Sequence, residues 1–101
     1  MVAIAGGRDI RCAEYATFGS KELSKKVIEA LDGRKACLMS HHGLTCFDYD
    51  LNSVLALAAE VEHLAGVYAR ILAMGEAKII ANEEMDRVLE KFKTYGVQED
   101  E

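Results

Sequence analysis

Apolar and polar positions alternate with two different periods along these 101 residues, and the change of period predicts the order of elements. A short apolar run, Val2 to Ala5, ends at Gly6-Gly7. Leu23, Val27, Ile28 and Leu31 then recur at helical spacing after Ser20, a good helix-capping residue, and Gly33 follows the end of that helix. Residues 35 to 40 read as a strand, His41-His42-Gly43 as a corner, and the residues up to Phe47 as a second short strand. Asp50 fits the N-cap of a long helix and Gly75 its stop. Ile79-Ile80 reads as a brief extended piece, and Asn82 as the cap of a last helix with Met85, Val88, Leu89 and Phe92 inward and Gly96 beyond it. The chain has no proline and no linker or repeat, so it reads as a single domain or partial domain over residues 1–101.

The long helix is apolar over too much of its circumference for one sheet. At about 100° per residue, Val54, Leu57, Val61, Leu64, Tyr68 and Ile71 form one seam, and Leu51, Leu55, Ala58, Ala65, Ala69 and Leu72 form an adjoining one. Half the circumference is apolar, which predicts a second covering partner: further chain or a neighbouring subunit. Glu62 falls on the edge of the arc, where a long side chain can reach water, while Glu60, His63 and Arg70 lie on the polar side. Those charges also break the apolar stretch from Leu51 to Met74, which reads as a soluble helix and not a membrane span.

A formal charge of −5, with no basic stripe to neutralise phosphates, argues against nucleic-acid binding. Cys12, Cys37 and Cys46 are odd in number and lack Cys-x-x-Cys spacing, which points to buried thiols in a reducing compartment. With no signal peptide at the start, the cytoplasm is the expected location.

The paired imidazoles His41 and His42 are the strongest chemical signal. Adjacent residues on a strand point to opposite faces, so only one of the two is expected to meet a given metal or substrate. Cys46, four positions later, reads as a small apolar core residue. Glu60-x-x-His63 has the spacing used in carboxylate-bridged metal bundles, but such sites need a second copy on another helix. Gly19-Ser20-Lys21 is only a fragment of a phosphate-binding loop.

Cys12-Ala13-x-Tyr15-Ala16-Thr17-Phe18-Gly19, His41-His42-Gly43-Leu44, Glu60-Val61-Glu62 and Val88-Leu89-Glu90-Lys91-Phe92-Lys93-Thr94-Tyr95-Gly96 together closely resemble the C-terminal half of class II L-fuculose-phosphate aldolases. The resemblance implies an α/β fold with a mixed central sheet flanked by helices, a tetrameric assembly and zinc as cofactor. It also implies a lyase reaction: reversible cleavage of L-fuculose 1-phosphate to dihydroxyacetone phosphate and lactaldehyde. By the same resemblance His42 is a zinc ligand and His41 a structural neighbour. Tyr95 handles a proton near the active site of an adjacent subunit, and Phe18 and Phe92 line that site across the interface.

The departures from the family are as informative as the matches. The family's other two zinc histidines, a His-x-His pair, together with its catalytic glutamate and its phosphate loops, fall upstream of the matched stretch. A further tyrosine would stand immediately before Met1, and Gln98 stands where family members can carry an arginine. A catalytic zinc ordinarily takes three protein ligands plus an open position. The expectation is therefore a segment of a class II aldolase that is inactive alone. Two alternatives are a non-catalytic self-association module like the head of adducin, and a half-enzyme that needs a second chain.

Overall fold

The computed structural model describes residues 2–94. A 3-10 turn over Val2–Ala5 is followed by strand β1 (Cys12–Ala13), helix α1 (Lys21–Ala30), strands β2 (Ala36–Met39) and β3 (Gly43–Cys46), and helices α2 (Leu51–Met74) and α3 (Asn82–Phe92). The three strands form one mixed sheet in the order β1-β2-β3. β1 runs parallel to β2, with Cys12 opposite Leu38, and β2 runs antiparallel to β3, with Leu38 opposite Leu44. The mixed sheet flanked by helices is the predicted fold class.

Side-chain alternation along β2 divides the core between the two faces of the sheet. Ala36 and Leu38 pack with Leu57 and Val61 of α2, while Cys37 packs on the other side with Ala30 and Val27 of α1. The caps agree with their predicted starts: the Ser20 hydroxyl accepts from the Leu23 amide at 3.1 Å, and the Asp50 carboxylate accepts from the Ser53 amide at 2.7 Å. Those bonds satisfy amides that have no partner inside a helix. Gly75, at φ 147°, closes α2 by donating its amide to Leu72.

β1 is not legible in the apolar pattern, and residues 79 and 80 form no strand. Asn82 is the first residue of α3 and not its cap; Ala81 holds the cap position without a side-chain bond, so the first turn is complemented instead by Glu83 and Glu84. Ile28, one of the apolar positions at helical spacing, is 69% exposed because α1 turns its Val27 and Ala30 flank to the sheet. Only Cys37 of the three cysteines is buried; Cys12 is exposed at the sheet edge and Cys46 is intermediate.

The long helix behaves as its pattern implies. Leu57 and Val61 are buried, whereas Leu51, Leu55, Leu72 and Met74 remain exposed. Glu62 is exposed beside them. Among the described residues, no helix is long and apolar enough to cross a membrane. α3 packs against the 3-10 turn, its Met85 buried, and the Arg8 guanidinium grips Asp86 from the loop that follows that turn.

Candidate functional site at the His-His-Gly corner

Parallel pairing of β1 with β2 brings the C-terminal ends of both strands to one end of the sheet, and the site is assembled there. β2 ends at Met39, and Ser40, His41 and His42 form the turn into β3. The His42 amide donates to Met39 O at 2.9 Å and the Ser40 amide to Ala13 O at 3.1 Å, which stitches the turn to the end of β1. His41 sits at φ 64° and Gly43 at φ 144°. A non-glycine residue in the left-handed region is uncommon, though histidine is among the more tolerant types.

Because both histidines lie in this turn, strand alternation does not set their directions. One aromatic ring does. The Tyr15 ring, two residues beyond β1, stacks on His42 with centroids 5.4 Å apart and planes 17° apart, and meets His41 edge-on at 5.6 Å and 88°. His42 Nε2 lies 2.9 Å from Ala16 O. A carbonyl oxygen only accepts, so Nε2 carries a hydrogen, and in the neutral ring the lone pair then lies on Nδ1. His42 is thus fixed by a stacked ring on its face and a hydrogen bond at its edge, made through Nε2 and not Nδ1.

The other predicted site residues are distributed more widely. Phe18 lies in the turn before α1, 80% exposed and two residues from the carbonyl that holds His42. Phe92 is half-buried on α3. That helix packs on the 3-10 turn, which joins the opposite end of β2 through the 2.6 Å bond from the Lys35 amide to Ala5 O. Tyr95 and Gln98 lie outside the described residues. Cys46 pairs with Ala36, at the far end of the hairpin from His42, and burial, with the nearby Asp48 charge second, pushes its thiol pKa up. His63 is exposed on α2. The described residues contain no group of three or more histidine, cysteine or acidic side chains that could hold a metal ion.

Residues 1–69 match the family described as Class II Aldolase and Adducin N-terminal domain. The chain belongs to that family. A 5-methylthioribulose-1-phosphate/5-deoxyribulose-1-phosphate aldolase of Rhodospirillum rubrum is 54% identical over 96 residues, covering 95% of this chain and 43% of the relative. The L-fuculose phosphate aldolase of Escherichia coli K12 is 50% identical over 102 residues, covering 100% of this chain and 47% of the relative. A solved L-fuculose 1-phosphate aldolase superposes with a TM-score of 0.86 at 39% identity, over 91% of this chain and 43% of that one. This member of the class II aldolase family thus spans less than half the length of the curated relatives it matches.

What the sequence could not reveal at this site is Tyr15. It was visible only as one letter of the Cys12 to Gly19 motif, because its contact with the histidines depends on the pairing of β1 with β2. A two-residue strand carries no periodicity from which that pairing could be read.

Proposed function

We propose that this chain forms part of a class II aldolase that cleaves a ketose 1-phosphate reversibly to dihydroxyacetone phosphate and an aldehyde, lactaldehyde in the case of L-fuculose 1-phosphate. The observation that carries the reading is His42, held at the end of the sheet by Tyr15 and by a hydrogen bond from Nε2 to Ala16 O, which leaves Nδ1 outside that bond. A ring fixed by a backbone carbonyl on one nitrogen is the usual setting of an imidazole that meets a metal through the other.

Zinc is the cofactor this reading implies. The described residues do not make a complete site for it, since His42 supplies a single imidazole and catalytic zinc takes three protein ligands. The remaining ligands and the acid-base carboxylate are assigned to polypeptide equivalent to the part of the relatives that this chain does not match. Phe18 is proposed to line the substrate space beside His42, with Phe92 and Tyr95 contributed across a subunit contact in a homotetramer, and Tyr95 as the proton-transfer group. Three free thiols suit a reducing compartment, and the cytoplasm is the proposed location.

The test is complementation. The chain alone, with zinc, should release no dihydroxyacetone phosphate from L-fuculose 1-phosphate or 5-deoxyribulose 1-phosphate. The chain fused to the unmatched portion of the Rhodospirillum rubrum relative should release it. A folded, zinc-loaded fusion with no activity on either substrate would contradict the reading.

A second reading is supported by the exposed apolar face of α2: a non-catalytic self-association module of the adducin kind. It predicts assembly with no turnover in the same fusion.

A further inference from the structure

We propose that Tyr15 is a positioning residue that sets the plane and the tautomer of His42; the inference rests on the reading of His42 as the site imidazole. Tyr15 is 57% exposed, so its ring is not core cement. Its described ring contacts are nevertheless with the two imidazoles of the corner, stacked on one at 17° and edge-on to the other at 88°. The same stretch of chain supplies the second restraint, because Ala16, the next residue, offers the carbonyl that binds His42 Nε2 at 2.9 Å. The stacked ring holds the imidazole in the plane in which Nε2 reaches that carbonyl. Displacing the Tyr15 ring frees the imidazole to rotate away from Ala16 O, whereas holding it keeps the hydrogen on Nε2 in that bond.

The contact is made by the ring and not by the hydroxyl, which separates positioning from acid-base chemistry. An aromatic replacement should preserve it, and an aliphatic one of similar bulk should not. Because Tyr15 is largely exposed and lies outside the sheet, either replacement should leave the pairing of β1 with β2 in place.

The experiment is nitrogen NMR of the imidazoles in the full chain at pH 8, where an ordinary histidine of pKa near 6.5 is neutral. Wild type and Tyr15→Phe should both show His42 with its hydrogen on Nε2 and its ring protons displaced by the neighbouring aromatic. Tyr15→Leu should lose that displacement and show a mixture of tautomers, with exposed His63 unchanged and the Leu38 and Ser40 amide signals retained as evidence of fold. Retention of the Nε2–H form in Tyr15→Leu would overturn the proposal. Loss of it in Tyr15→Phe would overturn the assignment to the ring. This readout needs no zinc and no turnover, so an inactive fusion with the predicted tautomers would fail the functional reading alone.

Discussion

Arg8 holds Asp86 through two parallel charge-assisted hydrogen bonds, 2.8 Å from Nε to Oδ1 and 2.7 Å from Nη2 to Oδ2. This fork joins the N-terminal loop to α3 across 78 positions of sequence. The hydrogen bond from Arg8 keeps the Asp86 carboxyl below its ordinary pKa.

A depressed carboxylate pKa gives a contribution that is fully present above the unfolded-state value, near 3.9 for aspartate, and is lost as pH falls through the lower folded-state value. Acidification below about pH 4 should therefore loosen α3 before the sheet. Amide exchange of α3 and of β2, compared between pH 6 and pH 3, measures this. Asp86→Asn should show the loosened helix already at pH 6 and little further change on acidification. A helix equally protected in the variant at pH 6 would show the fork to be dispensable.

The cysteines differ in what they can react with. Burial pushes the Cys37 thiol pKa up, with a smaller contribution from nearby Cys12, and the same side chain is enclosed between the sheet and α1. A thiolate is the reactive species. Iodoacetamide on the native chain should modify exposed Cys12 first and leave Cys37 protected until unfolding, as read by mass spectrometry of peptides. Early modification of Cys37 would contradict the packing described.

Leu51, Leu55 and Leu72 lie on one flank of α2 and remain exposed, which leaves an uncovered apolar face. Area of this kind is favourable to bury, by about 25 cal/mol per Å² of apolar surface. The isolated chain should sediment as an oligomer at micromolar concentration, and Leu55→Glu with Leu72→Glu should shift it toward the 11.1 kDa monomer. A wild-type chain that stays monomeric throughout would contradict this.

Which elements are legible in the sequence follows from where their determinants lie. Helix α2 was legible because its signals are local: Asp50 caps it, Gly75 ends it, and its apolar repeats are long enough to specify a period. The β2-β3 hairpin was legible from two apolar runs around His41-His42-Gly43. β1 was not, because Cys12 and Ala13 gain strand character only by pairing with Leu38 and Met39. The same non-local pairing hid the contact of Tyr15 with the histidines. His41 and His42 escape strand alternation for a related reason: a turn, with φ 64° at His41, interrupts the strand there.

The central claim is that His42, held by Tyr15 and Ala16, is the imidazole this chain brings to an aldolase site. The most direct measurement is turnover of L-fuculose 1-phosphate and 5-deoxyribulose 1-phosphate by the zinc-loaded fusion carrying His42→Asn or His41→Asn, asparagine being chosen because it tolerates the left-handed backbone of His41. His42→Asn should lower kcat by roughly 10²–10³-fold, about 3–4 kcal/mol at 1.4 kcal/mol per tenfold, with His41→Asn within about tenfold of the parent. A larger loss in His41→Asn, or undiminished turnover in His42→Asn, would contradict the account.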